Sequence, residues 1–434
     1  MRPLYTADAR RQTPPLRSEA LALMSARLPF AHRLWRALPQ RQRRTVATRA
    51  AALFAPRIAH MPLAPSSGVV VAGELTRASG LGEAARLVVR AARLCGIRTW
   101  ALDVGTLLPA HHADLAFDCD QAAAVPPDAA LLIHVNAPWL PLVLGRLGRG
   151  FLGARRVVGC WAWELEATPP EWRIGARFAH EAWAPSAFAA AAFAKLTANR
   201  VRTVPLPLAA DPPVPSAVGR ADFGLPEHAL VVLVAFNLAS SFARKNPLGA
   251  IAAFRAAFGE RRDRLLLLKV GNPAHAPEDF ASLQAAVAGA RNIRIETRTF
   301  PRAVAAALTA TADIVLSLHR SEGFGLVPAE AMMLARPVVA TGWSGTMSFM
   351  DADTAALVPY RLVPAEDPRA VYSVPGTRWA EPDIAAAAEW LQRLADDPAL
   401  RVGLGLRAQT AARARLGTAP LAAALTAIGA GPGQ

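Results

Sequence analysis

The chain has 434 residues, too many for one ordinary core and enough for two domains plus an extension. Hydrophobic residues make up 53% and charged residues 19%, which excludes a largely disordered chain. Lysine and arginine exceed the acids by 48 to 33, but only Lys195, Lys245 and Lys269 are lysines; an arginine- and alanine-rich bias of this kind follows genome composition, so the net charge of +15 does not call for a nucleic-acid partner.

Residues 1–66 differ from the rest. Arginines recur there (Arg33, Arg36, Arg41, Arg43, Arg44, Arg49, Arg57) with Leu, Trp and Phe between them, and Asp8 and Glu19 are the only acids. The stretch reads either as a solvated, partly helical extension or as a basic amphipathic arm that touches an anionic membrane surface. No clean apolar core follows Arg10, Arg11 and Arg17, so a signal peptide is not expected. The longest apolar run, Ala129 to Gly145, contains His134, Asn136 and two prolines and is not a membrane span. Cys95, Cys119 and Cys160 lack metal-ligand spacing and fit buried thiols in a reducing compartment, hence the cytoplasm.

Residues 67–208 read as a first α/β domain. Val69 to Gly73 is a buried strand, the stretch to Gly80-Leu81-Gly82 a glycine turn, and Glu83 to Leu94 a helix closed by Gly96. The spacing is not G-x-G-x-x-G, so no dinucleotide is indicated. Three further strands are expected over Ala130 to Val135, Arg156 to Trp163 and Glu181 to Ala184. His134 and Asn136 end one of them and are candidate catalytic residues, the alternative being a satisfied core histidine. Alternation puts Trp161 and Trp163 on one face; with Trp172, Glu164 and Glu166 they either stack on an acceptor sugar or pack in the core.

The proline-rich stretch 209–228 reads as a linker, with Pro212, Pro213 and Pro215. Residues 229–434 form a second domain. Strands are expected at Leu230 to Val234, Arg264 to Val270, Ile293 to Glu296 and Asp313 to Leu318. Helices are expected at Pro247 to Phe258, Asp279 to Ala288 and Pro301 to Thr309. Such alternation implies a parallel sheet. Trp379 to Asp383 reads as a loop, and two helices follow Pro382, one of them a candidate to pack back on the first domain.

The chemistry concentrates at the carboxyl ends of the second-domain strands, where parallel sheets bind ligands. Glu322-Gly323-Phe324-Gly325-Leu326 is a glycine-rich loop leading into a helix that carries Pro328 and Glu330. Its glycines admit an anion to the backbone amides, and the helix start adds partial positive charge. Carboxylates beside a phosphate site suit sugar or ribose hydroxyls, so Glu322 and Glu330 are candidates to accept from them. Arg244 and Lys245 follow the first strand of the domain and suit phosphate oxygens; a solvated surface pair is the alternative. Thr341 and Ser344 lie where the next strand ends, either closing over a ligand or making a tight turn.

From residue 67 to 415 the sequence resembles retaining glycosyltransferases of family 4, which have two Rossmann-like domains facing a central cleft, the GT-B fold. The resemblance rests on Glu322 and Glu330 as an E-x7-E pair around Gly323, Phe324, Gly325 and Leu326, and on Lys245. It implies that Glu322 contacts the donor sugar at the reaction centre, Glu330 the ribose, Lys245 the diphosphate, and Gly80 and Gly82 the donor and acceptor. Members commonly carry an arginine where this chain has Ser240, and Arg244 is the substitute at hand. The implied activity is metal-independent transfer of a sugar from a nucleotide-diphosphate sugar to a glycan, lipid-linked or polysaccharide acceptor, with retention and without a cofactor. Its rivals are another nucleotide-sugar-using α/β enzyme and an inactive transferase-fold binding module.

Overall fold

The computed structural model describes residues 37–38, 40–108, 115–198, 200–372 and 374–431. Most of the basic extension therefore lies outside the described residues. Contacts divide the chain into a unit of residues 1–47 and a unit of residues 48–434. Helix α1 (Gln40–Phe54) spans that division. The chain after it is tied down: Leu63 N donates to Ala154 O at 2.8 Å, and Ser66 and Ser67 donate to Asp128.

The first sheet has six parallel strands in the order β2-β1-β3-β4-β5-β6. They are β1 (Val69–Gly73), β2 (Thr99–Asp103), β3 (Ala130–His134), β4 (Val157–Cys160), β5 (Glu181–Ala184) and β6 (Val201–Thr203). Helices α2 (Gly80–Leu94), α3 (Leu140–Leu152), α4 (Trp172–Ala176) and α5 (Ala187–Ala194) connect them. β1 is Val-Val-Val-Ala-Gly, buried at every position, as a strand covered on both faces should be. The outer strands β2 and β6 were not expected. β2 mixes Thr, Trp and Asp with its apolar residues, and β6 is a three-residue edge with two exposed positions, so neither carries a hydrophobic run.

The second sheet repeats the plan in the order β12-β11-β10-β7-β8-β9, again parallel. Its strands are β7 (Leu230–Asn237), β8 (Arg264–Gly271), β9 (Ile293–Glu296), β10 (Ile314–Ser317), β11 (Val338–Thr341) and β12 (Ala356–Val358). Helices α6 (Phe242–Lys245), α7 (Pro247–Phe258), α8 (Pro277–Val287), α9 (Arg302–Thr311) and α10 (Leu326–Met333) alternate with them. The expected bounds of β1, β5, β9 and α7 coincide with those observed.

An antiparallel hairpin, β13 (Tyr360–Pro364) and β14 (Arg378–Pro382), follows the second sheet. β14 replaces the loop expected over Trp379 to Asp383; it forms because its backbone finds partners in β13 and at Arg320, which sequence periodicity cannot announce. Three helices, not two, come next: α11 (Ile384–Asp396), α12 (Pro398–Arg415) and α13 (Ala419–Ala427). α13 returns to the first domain, where Leu421, Ala424 and Leu425 pack with Val69, Val71 and Val88. The hairpin crosses too, since Ala365, Tyr372, Val374 and Trp379 share a core with Trp161, Trp163 and Phe193. Ala84 and Leu87 of α2 pack in turn with Val231, Phe324 and Ala329. Apolar burial thus holds the two sheets together at three places. No described helix is long and apolar enough to cross a membrane.

Candidate active site

Glu322 lies in the loop between β10 and α10. Gly325 ends that loop with φ +97°, a conformation that glycine adopts without strain, and the helix starts at Leu326. A Cβ on Gly325 would meet Thr346 Cγ2 at 2.5 Å. The backbone of Glu322 is gripped from the loop after β11: its N–H donates to Ser344 Oγ at 2.8 Å, and its carbonyl accepts from Gly345 N at 2.8 Å. Ser344 itself has φ +72°, a strained position for a side-chain residue at a candidate site. Thr341 ends β11 fully buried, with its hydroxyl oxygen lacking a partner.

The Glu322 side chain meets two cations. Lys245 Nζ lies 2.5 Å from Oε1 and Arg244 Nη1 lies 3.1 Å from Oε2. Ser241 caps α6 through its side chain, and Asn246 turns the chain left-handed into α7, which brings both cations to this edge of the sheet. Burial pushes the Glu322 carboxyl up, but Lys245 and Arg244 more than offset it and hold it at about 2. Arg244 is only 2% exposed. Its fork is already engaged, donating to Ser321 O at 2.7 Å and to Ser240 Oγ at 2.7 Å. The guanidinium thus reaches the Ser240 position from one helical turn away, and in this state it serves Glu322.

Glu330 lies about one turn into α10, half-buried. Burial and the nearby Glu83 carboxylate raise its carboxyl to about 7, with Arg302 opposing. Glu83 belongs to α2 of the first domain, bonded to Arg86 at 2.7 Å and 3.6 Å from Arg302. The two carboxylates of the motif are therefore separated in ionisation by their surroundings, one firmly charged and one that titrates close to pH 7.

The other sequence candidates are distributed differently. Phe324 packs in the core against Phe349 at 5.1 Å, so only its backbone is available to a ligand. Gly80 and Gly82 do not form a free loop. They are the first turn of α2, capped by Ser79, whose hydroxyl accepts from Gly82 N at 2.9 Å and donates to Glu74 at 2.6 Å. His134 ends β3 at 4% exposure, its Nε2 unpartnered, and burial pushes its imidazole down to about 3. Asn136 accepts from Ala162 N at 3.0 Å and so pins the loop after β4. That strand ends at Cys160, so Trp161 and Trp163 lie beyond it; both are buried with Trp172, and acceptor stacking on them is not available.

Several residues at the site were not legible beforehand. Ser186 Oγ donates to Gly323 O at 2.6 Å, and a Cβ on Gly323 would meet Trp163 O at 2.9 Å, so the first domain abuts the motif loop. Tyr372 stacks on Trp163 at 5.2 Å and lies under Arg244 at 5.0 Å. His319, before the motif, is 1% exposed and is pushed down to about 4 by burial.

This geometry can be set against known proteins. Residues 194–415, just over half of the chain, match the family described as "Family 4 Glycosyltransferase in conflict systems". The chain belongs to that family. A D-inositol 3-phosphate glycosyltransferase of Nocardioides is 32% identical over 166 residues, 36% of this chain and 35% of that one, so the match spans about a third of the relative's length. Among solved structures, Anabaena Alr3699/HepE in complex with UDP and glucose aligns with a TM-score of 0.58 at 15% identity, covering 83% of this chain and 100% of that one. A glycosyltransferase from Rickettsia africae gives 0.58 at 13%, covering 84% and 98%. WaaG, a glycosyltransferase involved in lipopolysaccharide biosynthesis, gives 0.51 at 18%, covering 82% and 99%. At these identities the likeness is one of fold, two parallel-sheet domains of the GT-B kind.

Proposed function

We propose that the protein is a retaining, metal-independent glycosyltransferase that moves a sugar from a nucleotide-diphosphate sugar to a glycan, lipid-linked or polysaccharide acceptor. In this reading residues 67–208 are the acceptor domain, 209–228 the linker and 229–434 the donor domain. The observation that carries it is the state of the Glu322 carboxylate, held ionised beside Lys245 and Arg244 at the carboxyl edge of the second sheet.

The chemistry follows from that arrangement. As the donor bond breaks, negative charge builds on the diphosphate and positive character on the sugar. Lys245, which is partly exposed, and the amides behind Gly323 to Leu326 meet the diphosphate charge, a role that in other enzymes falls to a metal. The ionised Glu322 faces the sugar. Glu330, raised to about 7, accepts from ribose hydroxyls when ionised and can also donate to them when protonated. His134 and Asn136 come from the acceptor side: Asn136 fixes the loop after β4, and His134 stays neutral at physiological pH.

The reading places the enzyme in the cytoplasm, peripheral to the inner membrane face. Leu53, Phe54 and Met61 are 82%, 87% and 84% exposed beside the exposed Arg49 and Arg57, and no acid occurs between Glu19 and Glu74. Apolar tips among arginines suit an anionic lipid surface.

The test is incubation with UDP-, GDP-, ADP- and dTDP-linked sugars, following nucleoside diphosphate release and the anomeric configuration of the early product by NMR. Release with the donor's configuration kept is expected. An inverted product would refute retention, and no release from any donor with any glycan or lipid acceptor would refute the transferase reading.

A further inference from the structure

The motif cations face a carboxylate from the first domain. Glu164 Oε1 lies 3.6 Å from Arg244 Nη2, while Glu322 takes Arg244 Nη1. The Tyr372 hydroxyl donates a hydrogen bond to the same carboxylate, and burial together with Glu164 raises that phenol well above its usual range. The loop that presents Glu164 is held at several points. Trp161 and Trp163 are buried on its amino side, Ala162 N is held by Asn136, and Trp163 Nε1 donates to Ala167 O at 2.8 Å. Arg244 thus bridges two carboxylates from two domains, and Lys245 takes the remaining oxygen of Glu322.

Counted as charges, the cluster is balanced: Arg244 and Lys245 against Glu322 and Glu164. A diphosphate that enters beside Lys245 unbalances it and competes with Glu164 for Arg244. We propose that Glu164 is a positioning residue that acts through Arg244, a built-in counter-anion that holds the guanidinium when the diphosphate is absent and reclaims it when the nucleotide product leaves. The inference rests on the nucleotide-sugar reading and adds to it a first-domain residue that weakens product binding. Glu166, two residues on, makes a useful contrast. Its partner Arg378 is 4.0 Å away and more than half exposed, so the same loop carries one carboxylate at the cations and one at the rim.

The test is titration calorimetry of the full chain with UDP, GDP, ADP and dTDP, before and after Glu164→Gln. The amide keeps the shape and can still accept from Tyr372, so the fold is preserved while the charge goes. Removing a negative charge this close to the diphosphate cations should tighten the best nucleoside diphosphate about tenfold. Glu164→Asp, which keeps the charge, should stay within threefold of the unaltered protein, and Glu166→Gln within twofold. Loosened packing alone would weaken binding and would not be rescued by Asp. Unchanged or weaker binding by Glu164→Gln, where the unaltered protein binds, overturns this inference alone. Failure of the unaltered protein to bind any of the four overturns both it and the nucleotide-sugar reading.

Discussion

Replacing Glu322 with Gln tests the electrostatics of the site directly. Its carboxyl stands at about 2 against an ordinary 4.5, which corresponds to about 3 kcal/mol of net favourable interaction. An independent route gives a similar size. Breaking a buried ion pair by removing one partner costs about 3–5 kcal/mol, and Arg244 is only 2% exposed. Glu164 remains 3.6 Å from Arg244 and Lys245 can turn towards solvent, so the lower end applies. Urea unfolding of both proteins at pH 7 should therefore show Glu322→Gln less stable by about 3 kcal/mol. The pH dependence has a definite sign. The folded carboxyl binds its proton less readily than the unfolded one, so the stabilisation is complete above about 4.5 and is lost as pH falls towards about 2. The gap between the two proteins should shrink between pH 5 and pH 3. Equal stability at pH 7, or a gap that widens on acidification, would refute the reasoning.

Three other outcomes follow from the same structure. Glu330, raised to about 7, is the opposite case: its ionisation opposes folding, so the unaltered protein should lose about 2 kcal/mol relative to Glu330→Gln as pH rises from 5 to 8, and a constant difference by urea titration would contradict this. A Cβ on Gly82 would lie 2.4 Å from Glu74 O and 2.8 Å from Arg77 O, both backbone atoms, whereas one on Gly80 meets nothing within 4 Å. Gly82→Ala should lower stability by about 1–3 kcal/mol and Gly80→Ala by none, which thermal melts will check. Replacing Leu53, Phe54 and Met61 together by Ser should abolish co-sedimentation with anionic liposomes at low salt while leaving donor turnover intact; retained co-sedimentation would remove the membrane contact from the account.

Much of the fold was legible because its strands are continuous apolar runs. β1 and β11, buried on both faces, declare themselves in four or five residues. The elements that escaped are held by partners distant in sequence. β14 exists through β13 and Arg320, and α2 begins three residues early because Ser79 caps it. At the site, residue types and spacing singled out Glu322, Lys245 and Glu330, and the structure pairs Lys245 with Glu322 while Glu330 lies near Glu83 and Arg302. What spacing could not supply is ionisation, because that depends on who comes near. Glu83 reaches Glu330 and Glu164 reaches Arg244 from the first domain, across 247 and 80 positions of chain. Spacing also could not announce that Arg244, read as a grip for phosphate, is buried against Glu322, Glu164 and Tyr372.

Thermal denaturation with a panel of nucleoside diphosphates, run on the unaltered protein and on Lys245→Ala, tests the central claim most directly. Lys245 Nζ is the partly exposed cation at the Glu322 carboxylate, where a diphosphate would bind. At a hundred times its dissociation constant, at least one nucleotide should stabilise the unaltered protein by about 2.7 kcal/mol. The same concentration should do markedly less for Lys245→Ala, because a charge-assisted phosphate bond worth about 1.5–3 kcal/mol has been removed. No stabilisation by any nucleotide, or an equal response from the two proteins, would contradict the account.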